Sequence, residues 1–176
     1  MPRTTTYHFR IGIIGVSICS KVQSVAEEYR KLYKNSQVPN EQPHSLRINI
    51  KQPYKVWPFN PRYTIHGEDE KQSFSVAKNE VLPHIELAIN WQIAMHFKNY
   101  YQIHASMVEI DGQPILFPGA PGSGKTTLSA ALVIKGARYY SDEFALIDPT
   151  SLMAYPYPKA FCLKEASIPI ISRLKE

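Results

Sequence analysis

The chain has 176 residues and an apolar content of 44%, which suits one globular domain with a buried core, or one domain and a smaller piece of another. No apolar run approaches the ~20 residues that a membrane-spanning helix needs, so we expect no membrane partner. Cys19 and Cys162 are too few for a disulfide framework, and neither lies at metal-ligand spacing. We therefore expect reduced thiols and a cytoplasmic location.

Positive charge is concentrated in the N-terminal part of the chain. Residues 1–60 carry nine Lys and Arg against three Asp and Glu, a net +6, whereas residues 61–176 carry eleven against twelve, a net −1. The basic residues form no dense cluster and accompany no nucleic-acid motif, so we expect a solvated surface and no nucleic-acid partner. A recognition or homo-oligomer surface is the alternative for this basic, strand-rich part.

Residues 1–78 have the pattern of an N-terminal α+β portion. Tyr7–Ser20 is rich in Ile and Val and predicts one or two strands. Lys21–Lys34 carries an apolar stripe at helical spacing, and Ser45–Lys51 alternates apolar and polar residues with the period of a half-buried strand. Two further short strands are predicted at Arg62–His66 and Gln72–Ala77.

Residues 79–176 begin with the longest helical pattern of the chain, Asn79–Tyr100. A hairpin follows, in which Tyr101–Ile110 and Gln113–Phe117 flank Asp111-Gly112. Asp-Gly is a preferred two-residue type I′ turn, because both positions need positive φ. The strand that ends at Phe117 is therefore predicted to run antiparallel to the strand before it.

A glycine-rich segment directly after this hairpin fits the pattern G-x-x-x-x-G-K-[ST] at every fixed position. In this pattern the backbone N–H groups surround a polyphosphate, Lys125 reaches the β- and γ-phosphates, and the Thr126 hydroxyl binds Mg²⁺. An apolar run, Ile115–Phe117, precedes the segment, and a helical pattern, Thr127–Ile134, follows it, as the motif requires. We predict that ATP and Mg²⁺ bind here, through Gly119, Ala120, Pro121, Gly122, Ser123, Gly124, Lys125, Thr126 and Thr127.

Phosphoryl transfer also needs a group that accepts a hydroxyl proton or orients the nucleophile. Asp142 and Glu143 lie between two predicted strands, and the first of these strands could bring them back beside the γ-phosphate. The alternative is that they form an exposed acidic turn. His104, on the hairpin strand, is either a hydrogen-bonded structural residue or part of the site. Lys164 is either solvated or directed at phosphate. The residues alone leave these alternatives open.

Several segments, taken in order, resemble the catalytic domains of HPr kinase/phosphorylase and its relatives. They are His104-Ala-Ser106, the Asp111-Gly112 hairpin, the glycine-rich loop, Lys135-Gly-Ala-Arg138 and Ser141-Asp-Glu143. The bacterial HPr-kinase-related kinases are the more similar group. The similarity spans most of the chain, strongly from about residue 84 to 170, and three further segments carry it: Ile89–Trp91, Pro118–Leu128 and Leu163–Ser167.

The resemblance implies an α/β fold like that of phosphoenolpyruvate carboxykinase, with a mixed sheet and the phosphate loop after a β-hairpin. It implies an ATP-dependent kinase that phosphorylates a serine of a protein or peptide. Asp142 would be the proton acceptor, with His104 and Lys125 at the phosphates, and Thr126 and Glu143 would be the metal ligands. Glu143 replaces a second aspartate of the family, which puts the reverse, phosphorolytic reaction in doubt. Family members also run further, so residues 79–176 are expected to be a C-terminally truncated catalytic domain.

Two alternatives to a serine kinase remain open on the sequence. One is a nucleotide-binding regulatory or assembly module without turnover, which the truncation and Glu143 favour. The other is a small-molecule kinase of the ordinary parallel phosphate-loop class. The predicted hairpin argues against that class, since it places an antiparallel strand beside the strand that enters the loop.

Overall fold

The computed structural model describes residues 4–42, 45–52, 62–68 and 72–174. It is a mixed α/β structure that divides into two compact units, Met1–Phe97 and Lys98–Glu176. Within the described residues, no helix combines the length and apolar character needed to cross a bilayer. Residues 52–61 hold three prolines, so the sequence predicts neither a central strand nor a helix there, and all of them but Gln52 lie outside the described residues.

The first unit is built on a six-stranded mixed sheet. The strand order is β3-β1-β2-β4-β5-β6, in which β2 and β4 run parallel and the other neighbours run antiparallel. The elements of this unit are β1 (Thr5–Ile11), β2 (Ile14–Ser20), α1 (Gln23–Leu32), β3 (Gln37–Val38), β4 (Leu46–Lys51), β5 (Tyr63–His66), β6 (Ser73–Val76) and α2 (Val81–His96).

The core of this unit lies between the sheet and its two long helices. Tyr29 of α1 is fully buried and packs edge-on against Phe9 of β1, with ring centroids 5.2 Å apart. Helix α2 buries Ile85, Ile89 and Ile93 and packs against β4 and β5. These contacts group α2 with the first unit, whereas the sequence predicts the boundary between the two portions before residue 79.

The second unit contains two three-stranded sheets, β10-β8-β9 and β12-β11-β7, and every described pairing in them is antiparallel. The mixed sheet of the chain therefore lies in the first unit. The elements of the second unit are β7 (Tyr101–Ile103), β8 (Ala105–Ile110), β9 (Gln113–Pro118), α3 (Lys125–Ile134), β10 (Arg138–Ser141), β11 (Ala145–Ile147), β12 (Ala154–Tyr155) and α4 (Ile168–Arg173).

The predicted hairpin is confirmed in β8 and β9. Asp111 and Gly112 connect these strands with φ of 50° and 77°, as a type I′ turn requires. The strand predicted from Tyr101 to Ile110 is instead broken at His104, because β7 pairs with β11 while β8 pairs with β9 and β10. One continuous strand cannot serve both sheets, so the chain changes sheet at that residue.

Candidate functional site

The antiparallel register brings three chain segments to one edge of the sheet β10-β8-β9. Strands β9 and β10 both run antiparallel to the central β8, so they point in the same direction and end at the same edge. Ala105 at the start of β8 pairs with Pro118 at the end of β9, and Met107 pairs with Ser141 at the end of β10. The glycine-rich loop and Asp142 therefore leave the sheet at the same edge.

The glycine-rich loop connects β9 to α3 through residues 119–124. Gly122 and Gly124 have φ of 83° and 90°, a conformation that residues with a Cβ rarely adopt. A Cβ at either position would meet nothing within 4 Å, so the backbone conformation, not crowding, requires glycine there. Helix α3 begins at Lys125, two residues earlier than predicted, with Gly124 as its N-cap.

Lys125 is folded back over the loop from which it emerges. Its Nζ donates hydrogen bonds to the carbonyl oxygens of Gly119, at 2.7 Å, and Ala120, at 3.2 Å. A Cβ on Gly119 would lie 2.8 Å from Ser123 Oγ and 3.8 Å from Lys125 Cδ. The loop thus closes tightly around the lysine ammonium group, beside the N-terminus of α3.

Asp142 is the carboxylate that approaches this loop. Its Oδ1 accepts a hydrogen bond from the hydroxyl of Ser106, which is fully buried in β8. Thr126, in the first turn of α3, is close enough to the same carboxyl group for its hydroxyl to lower the pKa of Asp142. The structure therefore places two of the predicted site residues, Asp142 and Thr126, near each other, and it holds Asp142 by a hydrogen bond to Ser106 of β8.

Burial raises the pKa of the Asp142 carboxyl above its ordinary value of 3.8. The hydrogen bonds from Ser106 and Thr126 act against this rise in the pKa, and the nearby charge of Glu143 adds to it. Lys159 lowers the pKa through its charge; it is only 9% exposed, and its ammonium lies 5.8 Å from the ring centroid of Tyr157. A carboxylate with a raised pKa is a stronger base, which suits a proton acceptor.

Glu143 and His104 lie beside this cluster. The backbone N–H of Glu143 donates to Ser141 Oγ at 3.4 Å. His104 is exposed at the loop edge of the sheet, and its ring lies 6.5 Å from that of Phe144, nearly perpendicular to it. No described hydrogen bond joins either side chain to the glycine-rich loop, so their roles at metal and phosphate stay predictions.

A pocket with a volume of about 110 Å³ opens beside the loop and the first turn of α3. A second segment of the chain completes it, where Thr127 Oγ1 and Ser167 Oγ form a hydrogen bond of 2.7 Å. Lys164, for which the sequence allows either a solvated or a phosphate-directed side chain, lies in this lining. The lining residues are Gly122, Gly124, Lys125, Thr126, Thr127, Cys162, Lys164 and Ser167.

Three residues of this region were not assigned from the sequence: Ser106, Lys159 and Ser167. A polar residue among the apolar residues of β8 was the available signal for Ser106. The sequence offers no comparable signal for Lys159, because its burial depends on the packing of a segment without regular secondary structure. Among the residues that the structure describes, no group of three or more His, Cys, Asp and Glu side chains is placed to hold a metal ion.

No protein-family model, no curated protein and no solved structure matches this chain. The resemblance to HPr-kinase-related kinases therefore rests on the segments quoted above and stays a prediction.

Proposed function

We propose that this chain is an ATP-dependent serine kinase related to HPr kinase, and that it acts on a protein or peptide. ATP would bind at the glycine-rich loop and the first turn of α3, residues 119–126, and the γ-phosphoryl group would pass to a serine hydroxyl. The observation that carries the proposal is that the glycine-rich loop and Asp142 leave the sheet β10-β8-β9 at the same edge. A phosphate-binding motif and a candidate base are both needed for this reaction, and they meet at one place.

The loop supplies features suited to an anion. Successive backbone N–H groups around residues with left-handed conformation form concave anion sites, and Gly122 and Gly124 have that conformation. The N-terminus of α3 adds the partial positive charge of a helix dipole. Lys125 would exchange its bonds to the loop carbonyls for bonds to phosphate oxygens, which carry more negative charge.

Asp142 would hold the substrate hydroxyl and accept its proton. As that proton leaves, the serine oxygen forms a bond to the γ-phosphorus, and the bond from the γ-phosphorus to the bridging oxygen breaks, leaving ADP. Ser106 and Thr126 would orient the carboxyl group through their hydroxyls. The raised pKa of Asp142 favours its action as a base.

The oxygen donors near the loop fit Mg²⁺, which prefers carboxylate, hydroxyl and phosphate ligands. Thr126 would bind the ion through its hydroxyl, with Glu143 as the predicted carboxylate ligand, and Asp142 would stay free to act as the base. When bound with the nucleotide, Mg²⁺ would offset the negative charge of the phosphates. The cytoplasmic location expected for such an enzyme belongs to the same proposal.

The test uses the full chain with γ-labelled ATP, Mg²⁺ and a library of serine-containing peptides. We expect label on serine, loss of ATP binding in Lys125→Ala, and a transfer rate about 10²- to 10⁴-fold lower in Asp142→Asn with ATP binding retained. Asp148→Asn is the matched control, because it makes the same change in a carboxylate with a structural role. The Asp148 carboxylate holds a turn by accepting hydrogen bonds from the backbone N–H groups of Thr150 and Ser151.

Two outcomes would change the conclusion. Tight ATP binding without transfer to any serine would replace the kinase with a nucleotide-binding regulatory or assembly module. Near-normal transfer by Asp142→Asn would remove Asp142 from the role of base while leaving the binding site intact.

A further inference from the structure

The segment from Cys162 to Ser167 forms a second wall of the pocket beside the glycine-rich loop. Cys162, Lys164 and Ser167 line the same cavity as the loop and the first turn of α3. The described lining thus holds two cations, three hydroxyls and a thiol, and it contains no carboxylate. This combination suits a ligand with several negative charges.

The second wall is fixed in position at both ends. Before it, Phe161 packs on Tyr139 with ring centroids 4.2 Å apart. After it, the Ser167 backbone N–H bonds to the Lys164 carbonyl oxygen at 2.8 Å, and the Ser167 hydroxyl bonds to Thr127. Ile171 of α4 is buried directly beyond this turn. Lys164 is therefore presented to the pocket by an anchored turn.

The two lysines of the pocket differ in what they already contact. The Lys125 ammonium is bonded to two carbonyl oxygens of its own loop. Among the described contacts, no hydrogen bond or ion pair engages the Lys164 side chain, which is exposed. A ligand can therefore reach Lys164 without first breaking an internal interaction.

We propose that Lys164 is a further substrate-binding residue, which contacts the polyphosphate of the nucleotide from the second wall of the pocket. Ser167 is a positioning residue, because its hydrogen bond to Thr127 ties that wall to the helix that starts at the loop. This inference rests on the proposed function, since the ligand is the one proposed for the loop. It adds a contact outside the phosphate-binding motif itself.

The test measures binding of Mg-ATP and of pyrophosphate to the full chain, without any phosphoryl transfer. A charge-assisted hydrogen bond corresponds to roughly a 10- to 100-fold change in affinity, so Lys164→Gln should weaken both ligands by that factor. Lys135→Gln is the matched control, because Lys135 is exposed at the other end of α3 and lies outside the pocket lining. Ser167→Ala should give a smaller loss in the same direction.

Thiol labelling supplies a second readout that is independent of the affinity measurement. Cys162 is free, exposed and part of the pocket lining, while Cys19 is free and lies in the first unit. Mg-ATP should slow the alkylation of Cys162 by iodoacetamide and leave the alkylation rate of Cys19 unchanged.

If ATP binds but Lys164→Gln has the same affinity as Lys135→Gln and Cys162 is not protected, the inference fails and the proposed function stands. If ATP and pyrophosphate do not bind to the unaltered chain, both fail.

Discussion

Asp142 is partly buried, and its ionisation therefore changes the stability of the folded protein in a direction that can be predicted. Its pKa is raised in the folded protein, mainly by burial, so the folded state binds more protons than the unfolded state between pH 3.8 and that raised pKa. Stability from this group therefore falls as the pH rises through that window. At neutral pH the neutral, similarly shaped Asn should be tolerated better than the carboxylate. We predict that Asp142→Asn raises the melting temperature at pH 7 by a few degrees, as measured by differential scanning calorimetry.

Asp148 gives the matched comparison with the opposite sign. The backbone N–H groups of Ser151 and Thr150 lower the pKa of Asp148, so this carboxylate contributes stability above its ordinary pKa, and that stability is lost as the pH falls. The same Asp→Asn change at residue 148 should therefore lower the melting temperature at pH 7. A lower melting temperature for both variants would contradict the account given for Asp142.

At the scale of elements, the junction between the glycine-rich loop and α3 depends on the left-handed backbone conformation of one residue, Gly124. Gly124 has φ of 90° at the N-cap, and a Cβ there would meet open space. Gly124→Ala should therefore cost roughly 1–2 kcal/mol from backbone conformation alone. Gly112→Ala is the control, because Gly112 also has positive φ and open space but lies in the β8–β9 turn. We predict similar losses of stability in urea unfolding, with ATP binding impaired only by Gly124→Ala.

The elements that could be predicted from the sequence are those determined by local chemistry. The hairpin follows from the positive φ that Asp111-Gly112 accepts, and α3 follows from the glycine-rich motif and its apolar continuation. The change of sheet at His104 could not be predicted, because it depends on which distant strand pairs with each side of that residue. Helix α4 has only six residues, with Pro169 in its first turn, too short for a periodic signal.

In the candidate site, too, the sequence predicts what local chemistry determines and does not predict what distant contacts determine. The sequence motif identifies Gly119 to Thr126 because the backbone chemistry is local. The approach of Asp142 to Thr126 depends on the register of β8 with β9 and β10, which joins segments that are distant along the chain. Lys164 reaches the pocket through the packing of a segment that has little regular structure. For residues of this kind the sequence allows either a surface role or a role in the site. Only tertiary contacts distinguish the two roles.

At the scale of the whole molecule, the chain divides into two compact units, and every residue of the candidate site lies in the second, Lys98–Glu176. A ligand that binds only the folded state stabilises what it contacts, by about 2.7 kcal/mol at a concentration of 100 Kd. We therefore predict that saturating Mg-ATP slows hydrogen exchange of protected amides in β8, β9 and α3 by up to about 100-fold. Amides in β1, β2 and β4 of the first unit should change little. The measurement is exchange of the full chain followed by mass spectrometry, with Lys125→Ala as the non-binding control. Equal slowing in both units would show that they open as one cooperative body, and slowing that persists in Lys125→Ala would mean that the nucleotide acts elsewhere than at the glycine-rich loop.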